Sequence, residues 1–129
     1  MISIIDYGVG NLFSLRSSLR AIGIDADYTG NPAEIRKADK LILPGVGAFR
    51  DAREALRSTG LDRVVQEEAG KGKPLMGICL GMQMLFDRSY EYGEYEGLGL
   101  IPGEIVPMEG RIPKVLPIPH IGWNELMLK

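Results

Sequence analysis

An α/β domain built on a parallel sheet is the fold class this sequence predicts, and three observations predict it. Short β-branched or apolar runs alternate with helix-period segments over residues 1–86, which is the pattern of βαβ units. Glycine and proline stand at the changeovers, at Gly8, Gly10, Gly23, Pro32, Pro44, Gly45, Gly47 and Gly60, where the chain has to turn. The 129 residues, 45% apolar and 25% charged, fit one globular domain.

The elements follow in order. Ile2 to Ile5 is a short β-branched strand that stops at Asp6-Tyr7-Gly8-Val9-Gly10. Asn11 is a helix N-cap, and Leu12, Leu15, Leu19 and Ile22 recur every three or four residues, one face of a helix. Gly23 ends that helix, and Asp25 to Tyr28 is a second strand. Asn31-Pro32-Ala33-Glu34 combines a cap, a proline at the first helical position and a glutamate three residues on, so a short helix starts there. Lys40 to Leu43 is a third strand ending in Pro44-Gly45-Val46-Gly47; Ala48 to Arg57 and Leu61 to Ala69 are helices. Leu75 to Ile78 is a buried strand and Gly81 to Phe86 a further helix. From Ser89 to Pro119 the glycine- and proline-rich chain, with pieces such as Leu98 to Ile101 and Glu104 to Val106, predicts turns and antiparallel hairpins. The apolar stretch from Trp123 to Lys129 predicts a strand that needs a partner.

Composition excludes several functions. Fifteen Lys and Arg stand against seventeen Asp and Glu, a net charge of −2, and the basic residues do not cluster as a nucleic-acid binder requires. The apolar runs are far shorter than the roughly 18 residues of a membrane span. The start, MISIIDYG, has no basic segment and Asp6 interrupts its apolar run, unlike a signal peptide. One cysteine and one histidine make neither an internal disulfide nor a Cys/His metal cluster. The expectation is a reduced, cytoplasmic, metal-free domain with no cofactor.

Gly77-Ile78-Cys79-Leu80-Gly81 is the most informative piece. It has the form G-x-C-x-G between a predicted strand and a predicted helix, the layout of a nucleophile elbow. A nucleophile on a sharp turn projects its side chain from the sheet edge, and glycines two before and two after leave room where strand and helix crowd. The N-terminal N–H groups of the following helix face the sulfur, and the N–H of Leu80 is placed to stabilise an oxyanion. Pro44-Gly45-Val46-Gly47 follows another strand, and its free N–H groups complete such a hole beside Cys79. Gly8-Val9-Gly10-Asn11-Leu12-Phe13 is only a weak match to a dinucleotide loop, because Phe13 replaces the third glycine and no clear acidic residue closes a second strand.

The pieces IIDYGVGNLFSL, LILPGVGAF, PLMGICLGMQMLF, EGLGLIPG and PHIGWNEL together resemble the glutaminase subunit family of imidazole glycerol phosphate synthase, class I glutamine amidotransferases of histidine biosynthesis. The resemblance spans nearly the whole chain. It implies a flavodoxin-like parallel-sheet domain over residues 1–129, incomplete on its C-terminal side. It implies that Cys79 attacks the side-chain amide of glutamine, giving a γ-glutamyl thioester and ammonia, and that water then releases glutamate. Val46, Gly47 and Leu80 match the oxyanion hole. Gly45, Gln83 and Glu91 match substrate-binding positions, with Glu91 facing the glutamine ammonium. Asn11, Trp123 and Asn124 match positions facing a (β/α)8-barrel cyclase subunit, which forms a heterodimer with this subunit and takes the ammonia.

One departure is large. The family carries a catalytic His-x-Glu farther along the chain, whereas the sole histidine here is His120, followed by Ile121 and Gly122. His120 belongs to the separate PHIGWN element and is expected to be a hydrogen-bonding residue near the partner surface. The expectation is a catalytically incomplete N-terminal portion of a longer subunit. The alternative is a non-catalytic module that docks on the cyclase or self-associates through its uncovered apolar edge.

Overall fold

The computed structural model describes residues 1–129. Its main sheet has four strands, β1 (Ile2–Ile5), β2 (Ala26–Thr29), β3 (Lys40–Leu43) and β4 (Leu75–Gly77), all parallel, in the order β2-β1-β3-β4. Helix α1 (Leu12–Ala21) joins β1 to β2, α2 (Pro32–Lys37) joins β2 to β3, and α3 (Phe49–Ser58) with α4 (Leu61–Gly70) joins β3 to β4. The α/β class with a parallel sheet is therefore the observed one.

Side chains alternate across this sheet, as the two-residue period of a strand demands. Ser3, Leu41 and Leu75 share one register row; Ile4, Ile42 and Met76 share the next and point the other way. On the first face Ile5, Leu41 and Leu43 form the core with Ile35 of α2, Phe49, Ala52 and Leu56 of α3, and Leu61, Val64 and Val65 of α4. On the second face α1 packs near β2 with none of its own residues buried, and Met76 on the edge strand stays 60% exposed. Ile22 does not continue the half-buried stripe of Leu12, Leu15 and Leu19: α1 ends at Ala21, Ile22 is its C-cap, and its side chain lies in solvent past the last turn.

The caps explain the helix starts. Asn11 Oδ1 accepts from Ser14 N at 3.2 Å, and Asn31 Oδ1 accepts from Ala33 N at 2.9 Å, each satisfying one orphan donor. Glu34 does not close the expected box. The Thr29 hydroxyl donates to its carboxylate and in turn accepts from the N–H of Asn31, so Thr29 relays the contact.

Where α2, α4 and β4 meet, Lys73 Nζ donates to the carbonyls of Ile35 and Arg36 at the end of α2 and pairs with Glu68 at 2.7 Å. Lys71 donates to the same carboxylate at 2.6 Å. Lys71 first and Lys73 second hold the Glu68 carboxyl down to about 2 from its ordinary 4.5. A lowered carboxyl stabilises the fold fully above the unfolded value and loses that contribution as pH falls through the folded value. Between pH 4.5 and 2 the parent chain should therefore lose stability more steeply than Glu68→Gln, as urea unfolding followed by circular dichroism will show.

After β4 comes a one-turn helix, α5 (Leu80–Gln83), and then a small sheet of β5 (Phe86–Ser89), β6 (Tyr95–Glu96) and β7 (Ile101–Ile105) in the order β6-β5-β7. The helix predicted to Phe86 is shorter than expected because Leu98 N and Leu100 N take the carbonyls of Met84 and Leu85. The antiparallel expectation holds for β5 with β6 but not for β5 with β7, which run parallel with a register shift between Phe86 and Arg88. Gln66 of α4 donates to Leu98 O at 2.9 Å and Arg53 of α3 to Glu96 O at 3.2 Å, so the small sheet is tied to the helices of the main core. No regular secondary structure follows Ile105, and the strand predicted for Trp123 to Lys129 is not formed. A strand needs a neighbour's ladder, and no strand pairs with this segment.

Candidate active site

Cys79 sits between β4 and α5 with φ 55° and ψ −120°, a left-handed conformation that side-chain-bearing residues rarely adopt. The turn throws the thiol outward, and Cys79 is exposed. Its glycines are there for space. A Cβ on Gly81 would lie 1.9 Å from Leu43 O, and one on Gly77 would lie 2.5 Å from Met82 Cα. Only hydrogen fits where the elbow folds back over β3 and over its own helix. The helix behind the cysteine is a single turn, so fewer peptide dipoles add there than the longer helix predicted from the sequence would supply.

The loop Pro44 to Ala48 adjoins this elbow. A Cβ on Gly45 would lie 2.6 Å from Gly81 N and 3.0 Å from Leu80 Cβ, so the two backbones touch. The N–H groups of Val46, Gly47 and Leu80 have no acceptor within the chain. Val46 and Gly47 are exposed while Gly45 and Leu80 are buried. Unpaired donors on two touching loops next to an exposed thiol are the parts an oxyanion hole requires.

Gln83 and Glu91 line one cleft of about 630 Å³, together with Tyr90, Tyr92, Ile105 and Met108. Gln83 Oε1 is buried with no hydrogen-bond partner, an unsatisfied acceptor beside the cleft. Glu91 Oε1 accepts from Phe49 N at 3.1 Å, and its own N–H donates to Ser89 Oγ at 3.2 Å. A second groove of about 330 Å³, lined by Arg50, Arg53, Arg57 and Tyr95, holds no nucleophile.

Two polar residues escaped the sequence reading. The Tyr7 hydroxyl, buried, donates to Pro44 O at 2.6 Å, and burial pushes its phenol strongly upward, keeping it protonated as a donor. Ser89, fully buried, orients Glu91. Tyr7 continues the alternation of Ile5 into the core, which was the available signal for it.

The remaining predicted residues lie apart from the thiol in character. Asn11 is exposed and spends its Oδ1 on capping α1. Trp123 is entirely exposed on the irregular C-terminal stretch. Asn124 Nδ2 donates to His120 Nε2 at 2.7 Å, so His120 is a hydrogen-bonding residue of that stretch.

Residues 3–116 match the model of the CobB/CobQ-like glutamine amidotransferase domain. The chain is 52% identical over 126 residues to the imidazole glycerol phosphate synthase subunit HisH of Oceanobacillus iheyensis, covering 98% of this chain and 61% of that protein. To the subunit of the same name from Sulfurimonas denitrificans it is 48% identical over 130 residues, covering 100% of this chain and 63% of that one. The chain thus spans about three fifths of the length of the curated relatives it matches. A crystal structure of a glutamine amidotransferase superposes with a TM-score of 0.70 at 21% identity, covering 84% of this chain and 57% of that one, which speaks for the fold. A strained cysteine elbow, a loop with free amides beside it and a family match over most of the length lead to one conclusion: the chain belongs to the glutamine amidotransferase family.

Proposed function

We propose that these residues form the glutaminase part of an imidazole glycerol phosphate synthase, acting in histidine biosynthesis in the cytoplasm. The observation that carries the reading is the exposed Cys79 at positive φ beside the unpaired amides of Val46, Gly47 and Leu80. The Cys79 sulfur bonds to the side-chain carbonyl carbon of glutamine, and the carbonyl oxygen takes the negative charge facing those amides. Collapse breaks the C–N bond and expels ammonia once a proton reaches the nitrogen. Water then cleaves the thioester, so glutamine and water give glutamate and ammonia. Gly45 keeps the two loops in contact, and Gln83 and Glu91 hold the substrate in their cleft. Asn11, Trp123 and Asn124 face a cyclase subunit with a (β/α)8 barrel, which receives the ammonia.

The 129 residues hold no His-x-Glu, and His120 is engaged with Asn124. They supply the nucleophile and the oxyanion donors without the base that would deliver a proton to nitrogen. A glutamine-mimicking chloroketone should label Cys79 of this chain, and free glutamine should slow the labelling. Steady glutamate release should stay at the level of Cys79→Ala even with a cyclase subunit present. Labelling indifferent to glutamine contradicts the substrate assignment, and turnover well above that control contradicts the incompleteness. A second reading, assembly without chemistry, is favoured by the exposed side chains of Ile121, Trp123, Leu126, Met127 and Leu128. A stable monomer in light scattering of the same sample contradicts its self-associating form.

A further inference from the structure

The loop that carries the oxyanion donors is gripped at both ends by side chains from distant parts of the chain. At its start, Pro44 O is buried and no backbone N–H reaches it. Its partner is the Tyr7 hydroxyl at 2.6 Å, from the loop after β1. The same loop presses on Pro44 a second time, since a Cβ on Gly10 would stand 3.2 Å from Pro44 Cβ. At its end, the N–H of Phe49 is the first of α3, and the cap residue Ala48 makes no side-chain hydrogen bond to the helix start. Its partner is Glu91 Oε1 at 3.1 Å, from the turn between β5 and β6. Between the two grips, Val46 and Gly47 are exposed and have no other hydrogen bond to fix them.

We propose that Tyr7 and Glu91 are positioning residues that clamp this loop, so that the Val46 and Gly47 amides hold the orientation an oxyanion needs. The proposal rests on the glutaminase reading and adds to it a second task for Glu91. The two tasks fall to different oxygens. Oε1 is taken by Phe49 N, whereas Oε2 makes no hydrogen bond within the chain and is free for the ammonium of glutamine. Losing either grip leaves a buried carbonyl or a helix-start N–H unpaired, and the loop relaxes to satisfy it. Small displacements of such donors are costly to rate.

The test uses the γ-(p-nitrophenyl) ester of glutamate, whose leaving group departs as p-nitrophenolate without a general acid. The Cys79 sulfur bonds to the γ-carbonyl carbon, the C–O bond breaks, and the oxygen leaves with the electron pair. Tyr7→Phe keeps the ring and removes only the donor. It should slow acylation at saturating ester by roughly tenfold, while alkylation by iodoacetamide, which makes no oxyanion, stays within about twofold. Glu91 provides an independent arm outside the core. Glu91→Gln keeps an acceptor for Phe49 N and loses the charge, so it should raise the half-saturating ester concentration and leave the saturating rate in place. Glu91→Ala should raise the former and also lower the latter by roughly tenfold. Without any ligand, the Phe49 amide should exchange its hydrogen faster in Glu91→Ala than in Glu91→Gln. Equal saturating rates in the parent, Tyr7→Phe and Glu91→Ala overturn the clamp and leave the glutaminase reading standing. No Cys79-dependent acylation of the parent chain overturns both.

Discussion

Gly81→Ala should unfold or severely destabilise the chain, lowering its stability by about 3 kcal/mol or more. The new methyl would lie 1.9 Å from Leu43 O and 2.9 Å from the Pro44 carbonyl carbon. These are backbone atoms at the end of β3, so no rotamer change relieves the clash. The strand would have to separate from the elbow, breaking the Ile78 N to Leu43 O hydrogen bond of 3.0 Å that joins them. By contrast, Gly70→Ala, on α4 with nothing within 4 Å of the added methyl, should be neutral or mildly stabilising. Thermal unfolding of the two variants, followed by circular dichroism, checks the contrast. A Gly81→Ala chain that melts with the parent would mean that the elbow is not packed against β3 as described.

The second large effect falls on Cys79 itself and has opposite signs for chemistry and stability. Cys79→Ala and Cys79→Gly should both reduce acylation by the γ-glutamyl ester to the uncatalysed background. Their stabilities should differ. The backbone at φ 55° and ψ −120° is open to glycine and strained for every other residue. Cys79→Gly should therefore raise stability by about 1 kcal/mol, whereas Cys79→Ala should leave it near the parent value. Strain kept at one residue and released by deleting its side chain is the signature of a conformation held for function. Equal stability in the two variants would show that the elbow stores no strain.

Much of this site was legible in the sequence because its signals are local. G-x-C-x-G and the Pro44 to Gly47 loop each announce a turn, and the strands before them are short apolar runs, so the exposed thiol and the free amides followed directly. The alternation of elements up to Leu75 was equally plain, since hydrophobic period and caps such as Asn11 and Asn31 act within a few residues. The rest was not legible because its partners are remote. Tyr7 meets Pro44 across 37 positions and Glu91 meets Phe49 across 42, and no local pattern marks such pairs. The parallel pairing of β5 with β7 joins Phe86 to Ile101 and Ser89 to Ile105, partners that neighbouring residues do not specify. Trp123 to Lys129 has a strand's composition without a strand beside it, and composition cannot supply the partner.

We assign Cys79 as a nucleophile served by the amides of Val46, Gly47 and Leu80, and a stopped-flow burst measurement checks that assignment. Mixed with the γ-(p-nitrophenyl) ester of glutamate, the chain should release one p-nitrophenolate per molecule and then fall nearly silent, leaving a γ-glutamyl group on Cys79 that peptide mass spectrometry locates. Release without a burst, or release that is the same in Cys79→Ala, would contradict it.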